Sequence, residues 1–122
     1  MKPSICVMIT QAPYGTVHAA EAVRHVNGAL TNGFEAVAAL VDDGVWLALR
    51  GQEAGGTGFT NLGAAQAEAL ANPAGPVPRL VAHGPSLQMR GLSPADLIEG
   101  VEIVDDGGLA AVVAGSDYLL RF

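Results

Sequence analysis

The stretch Ile5-Cys6-Val7-Met8-Ile9 decides the fold. It is a continuous apolar run of strand length, with no alternation of polar and apolar residues. A strand apolar on both faces is a central strand of a parallel sheet, covered by helices on each side. The only cysteine of the chain lies inside this run. An apolar setting raises a thiol's pKa and blocks access to it, so Cys6 reads as a core residue rather than a nucleophile.

Working outward, the loop Gln11–Thr16 leads into a helix whose apolar stripe is Ala19, Ala22, Val23, Val26, Ala29 and Leu30. Asn32-Gly33 stops it, with Gly33 suited to a left-handed cap. Phe34–Val41 is the second strand, ending in Asp42-Asp43-Gly44, and a short helix is expected over about Val45–Leu49. Gly51–Thr60 reads as a loop, Asn61 as the cap of a helix to about Ala71, and Asn72–Pro78 as a proline-stiffened connector. Leu80-Val81-Ala82 is the third strand, followed by a tight turn at Gly84-Pro85. Ser93-Pro94-Ala95-Asp96 spells a helix start, with a serine cap, proline in the first turn and an acid at the positive dipole end. A strand over Val101–Val104, a last helix capped by Asp106 and closing at Gly115, and a strand over Tyr118–Phe122 complete the chain. Strands alternating with helices at this spacing imply an α/β fold of three layers, α/β/α, around a five-stranded parallel sheet. Residues 1–122 are expected to form a single domain.

Composition narrows the function. Half the residues are apolar but only 5% are aromatic, so the core is built of Ala, Val and Leu. The net charge of −6, without a basic run, argues against a nucleic-acid groove or an anionic membrane surface. No apolar stretch approaches the roughly 20 residues of a membrane span. The N-terminus passes straight into the first strand with no signal-peptide pattern, and a lone cysteine forms no internal disulfide, so the expected compartment is the cytoplasm.

Sites of open parallel sheets lie beyond the carboxyl ends of the strands. Four segments arrive there: Gln11–Thr16, Asp42–Gly44, His83–Arg90 and Asp105-Asp106. His83 ends the third strand with Ser86 and Arg90 close by, and it is the one candidate for acid–base chemistry, although no nucleophile is evident beside it. Asp42-Asp43 is expected to cap the following helix. His18, Glu21 and His25 share a helix face, where the expected reading is a solvated polar face with Glu21 and His25 as an i,i+4 pair, not a metal site. The glycine-rich loop lacks the ending of a P-loop, and no dinucleotide fingerprint opens the first helix. No cofactor and no metal are expected.

The segment His83-Gly84-Pro85-Ser86-Leu87-Gln88-Met89-Arg90-Gly91-Leu92, continued by Ser93–Glu102, resembles the DsrE/DsrF family of small sulfur-relay proteins, related to the TusB, TusC and TusD subunits. Pro13-Tyr14-Gly15, Asp43-Gly44-Val45 and Ser116-Asp117 agree with it. The resemblance implies a carrier cysteine seven residues before the Arg90-Gly91 pair. That position holds His83, and imidazole forms no persulfide. The resemblance therefore implies an accessory, non-catalytic subunit in a sulfur-relay context, assembling as a trimer or hexamer with copies of itself or related subunits. Its pocket would be formed by Tyr14, Asp43, His83, Ser86 and Arg90. The alternative is an oligomeric protein that binds a small ligand or anion and keeps the fold without sulfur transfer.

Overall fold

The computed structural model describes residues 2–51 and 78–122. The strands are β1 (Ser4–Ile9), β2 (Glu35–Leu40), β3 (Arg79–His83), β4 (Glu102–Val104) and β5 (Tyr118–Arg121). All pair in parallel, in the order β4-β3-β2-β1-β5. The helices are α1 (His18–Thr31), α2 (Gly84–Met89) and α3 (Asp106–Ala114), with a 3-10 helix over Asp42–Ala48.

The two-sided burial expected of β1 holds. Cys6, Val7 and Ile9 are each 0% exposed. Register separates the faces. Val7, Ile9, Ala38, Leu40, Leu80 and Ala82 join the cores of α1, α2 and the 3-10 helix on one side. Cys6, Val37, Ala39 and Val81 pack with Val112 of α3 on the other. The sheet is thus the middle of three layers. Among the described residues no helix is long and apolar enough to cross a membrane.

Several local expectations shift. The 3-10 helix begins at Asp42, not near Val45, and neither Asp42 nor Asp43 caps it with a side chain. The Gly84-Pro85 turn is the first turn of α2, with proline in the position where its missing N–H costs nothing. The helix start at Ser93 is present as a capping box, in which Asp96 Oδ2 accepts from the Ser93 N–H at 2.8 Å. It ends after one 3-10 turn, Pro94–Asp96. The chain is captured there by longer-range pairing: Leu97 bridges Leu49, and the Ile98 N–H donates to the Ala48 carbonyl at 2.8 Å. The cap of α3 is Asp105, whose Oδ1 accepts from the Gly108 N–H at 2.7 Å, one residue before the expected Asp106. The loop, helix and connector expected over 52–77 lie outside the described residues.

One glycine is dictated by space. A Cβ on Gly44 would sit 1.8 Å from the Ile9 carbonyl oxygen. The 3-10 helix therefore crosses the end of β1 in backbone contact, and the Val41 N–H donates to that same carbonyl at 3.0 Å.

Two outcomes are expected. Gly44→Ala forces a strand backbone to move and should lower stability in urea by about 3 kcal/mol, the upper end of overpacking costs; an unchanged midpoint would contradict the close approach. Cys6 should resist maleimide in the native protein and react once urea unfolds it, since burial pushes its thiol pKa up and covers the sulfur.

Candidate functional site

The candidate site assembles at the carboxyl ends of β2, β3 and β4. His83 is the last residue of β3, and its extended backbone leads directly into α2. Ser86 lies one turn later, only 3% exposed. His83 Nδ1 is 2.7 Å from Ser86 Oγ, and His83 Nε2 is 2.6 Å from Asp106 Oδ1. A carboxylate only accepts, so Nε2 carries the proton. In the neutral ring Nδ1 then accepts the Ser86 hydroxyl proton. Ser86 Oγ in turn accepts the Asp42 N–H at 2.9 Å. The result is one continuous chain of hydrogen bonds, from the Asp42 backbone through Ser86 and His83 to Asp106.

The second half of the site is ionic. Arg90, the residue closing α2, donates from Nε to Asp43 Oδ1 at 3.0 Å, with Nη2 2.9 Å from the same oxygen. Its Nη1 donates to the Ser86 carbonyl at 3.0 Å. Asp43 is aimed this way by the preceding residue, since Asp42 has a left-handed backbone with φ 52°. That conformation is uncommon for a residue with a side chain, and aspartate is among those that tolerate it best. Tyr14, also left-handed at φ 73°, is half-buried and packs against the core of the first face.

Of the five residues singled out in the sequence, His83, Ser86, Arg90 and Asp43 are thus joined by direct contacts. Asp106 and the Asp42 backbone belong to the same network and were not assigned to it. Asp106 was legible as a strand-end acid, but it was given the capping role that Asp105 performs. The helix-face trio separates. Glu21 pairs with Arg24 at 2.6 Å, and His25 Nδ1 lies 2.7 Å from the Glu21 backbone carbonyl rather than its carboxylate. Among the described residues no group of three His, Cys, Asp or Glu converges on a metal position.

The serine and the aspartate should weigh differently. Ser86→Ala leaves the Asp42 N–H and His83 Nδ1 without their partner under cover, and should lower stability in urea by about 1–3 kcal/mol. Asp106 has an 87% exposed side chain, so Asp106→Asn should change it by less than about 1 kcal/mol. Equal losses in the two variants would contradict the burial difference.

The chain is 35% identical over 118 residues to an uncharacterised protein of Methanopyrus kandleri, covering 97% of this chain and 93% of that one. It is 34% identical over 116 residues to an uncharacterised protein of Methanocaldococcus jannaschii, covering 95% and 96%. The crystal structure of the YchN protein of E. coli superposes with a TM-score of 0.80 over the full length of both chains, at 27% identity. MTH1491 of Methanobacterium thermoautotrophicum shares the fold, with a TM-score of 0.70 at 17% identity over 99% of this chain and 100% of that one. The model of the DsrE/DsrF-like family matches residues 3–122, and the chain belongs to that family.

Proposed function

We propose that this chain is an accessory, non-transferring DsrE-like subunit in a sulfur-relay context. The observation that carries the reading is the state of His83. It stands where the family resemblance puts the carrier cysteine, and both of its ring nitrogens are engaged, one by Ser86 and one by Asp106. A sulfur carrier needs an exposed thiolate. The remaining thiol, Cys6, is fully buried in β1 and its pKa is raised by that burial. In this reading His83 ties α2 to the end of β4 through Asp106, and the subunit contributes surface to an assembly of copies or related chains. The cytoplasm remains the expected compartment.

The alternative of an anion-binding protein meets a chemical cost. Arg90 closes the helix that follows His83, and its Nε, Nη1 and Nη2 groups face Asp43 and the Ser86 carbonyl. An anion would have to displace Asp43 to use it.

Incubation with a persulfide donor followed by intact mass measurement should show no gain of one sulfur per chain. His83→Cys should create a thiol that maleimide labels and that accepts sulfur. Stoichiometric uptake by the unaltered chain, lost in Cys6→Ser, would overturn the proposal. An inert His83→Cys in a folded protein would show that residue 83 is not the carrier position.

A further inference from the structure

Asparagine followed by glycine occurs twice in the chain, at Asn27-Gly28 and at Asn32-Gly33. Such pairs share one side reaction, attack of the glycine backbone nitrogen on the asparagine amide carbon. Glycine favours it because no side chain shields that nitrogen. In sequence the two pairs are equivalent, and the structure separates them.

Asn27 lies inside α1, four residues before its end. The Gly28 N–H is spent on the helix ladder, and the Asn27 carbonyl also accepts from the Thr31 hydroxyl at 2.9 Å. Turning that peptide unit breaks the helix on both sides of it. Asn32 instead caps the carboxyl end of α1, with φ −90° and ψ 11°, and Gly33 follows in the left-handed region at φ 85°. The Gly33 N–H donates to the Leu30 carbonyl at 3.2 Å and the Phe34 N–H to the Ala29 carbonyl at 2.9 Å, the paired bonds of a Schellman ending. Asn32 and Gly33 are both exposed. Beyond its chain neighbours, nothing lies within 4 Å of the position a Cβ on Gly33 would take. Attack requires the Asn32 ψ to turn, which opens only this last turn. A helix end frays at far lower cost than a helix centre.

We propose that Asn32-Gly33 is a site of spontaneous deamidation and that its product unfastens the end of α1. The Gly33 nitrogen forms a bond to Asn32 Cγ, the Cγ–Nδ2 bond breaks, and ammonia leaves with the Gly33 proton. Water then opens the cyclic imide, its hydroxyl joining either carbonyl carbon and its proton returning to the nitrogen. The products are aspartate and isoaspartate at position 32, with ammonia released and water taken up.

The group that is lost is one that holds the helix end. Asn32 Nδ2 donates to the Gly28 carbonyl at 2.7 Å. A carboxylate only accepts, so the product turns this bond into a repulsion. The new charge sits at the negative end of the helix dipole, and α1 has no basic residue in its last turn to offset it. Isoaspartate also inserts a methylene into the main chain between α1 and β2. None of this rests on the subunit reading above.

Ageing of the full chain in mildly alkaline buffer, followed by peptide mapping with mass spectrometry, tests the site. In the native protein residue 32 should convert at least about tenfold faster than residue 27, where ladder bonds must break as well. In urea the helix is gone, and the two should convert at comparable rates. Asn32→Gln should remove conversion at that position, because its amide would have to close a larger ring. Asn32→Asp, one product itself, should lower the urea midpoint at neutral pH. If that variant does not fold, the aged chain, separated by charge from the unaltered one, gives the same measurement. Equal native rates at the two positions overturn the assignment of the site. So does a native residue 32 that stays intact while the unfolded chain converts. An unchanged urea midpoint in the product overturns the unfastening of α1.

Discussion

The passage of Gly44 across the Ile9 carbonyl is the constraint on which the candidate site depends. With a Cβ placed 1.8 Å from that oxygen, no other residue fits without moving β1 or the 3-10 helix. The contact fixes where the chain leaves β2. It sets Asp42 in its left-handed conformation over Ser86, and it turns Asp43 toward Arg90. Ser86 lies in α2, which His83 and Arg90 flank. One backbone contact at the end of the central strand lies beside the segment that sets the Asp42 amide on Ser86 and the Asp43 carboxylate on Arg90, with His83 joined through Ser86.

The site is built more as a set of ties than as an open reaction centre. Each polar group has a partner: Ser86 bridges a backbone amide and an imidazole, His83 bridges a serine and an aspartate, and Arg90 bridges an aspartate and a carbonyl. Satisfied networks of this kind hold elements in register, and a half-satisfied one costs free energy in a low dielectric. The arrangement joins the ends of β2, β3 and β4.

Most of the architecture was legible because it depends on local apolar patterning. The two-sided run Ile5–Ile9 and the stripe of α1 each require only neighbours in sequence to be read. What escaped depends on partners far along the chain. The short turn at Pro94–Asp96 carries every local signal of a helix, yet residues 48 and 49 recruit the next two positions into extended pairing. The cap of α3 was misplaced by one residue because Asp105 and Asp106 are chemically equivalent in sequence. Only the position of His83 on the adjacent strand distinguishes the acid that caps from the acid that reaches the ring. That Asp43, His83, Ser86 and Arg90 come into contact was legible because strand ends in a parallel sheet are a geometric meeting point. The Asp42 amide is a backbone group and leaves no mark in a side-chain pattern.

The central strand also imposes an order of events on folding. β1 pairs with β2 on one side and with β5 on the other, and its far edge is completed only by residues 118–121. The start of β1 is clipped to the start of β5, where Asp117 accepts from the Ser4 N–H at 2.8 Å. At the other end, the Thr10 N–H and hydroxyl both donate to the Phe122 carbonyl. Contacts spanning more than a hundred residues carry a loop-closure cost that must be met before they stabilise anything. During synthesis, therefore, the most apolar strand of the protein keeps an open hydrogen-bonding edge until the last strand has emerged. A ribosome-bound chain lacking β5 presents that edge as a template for wrong pairing.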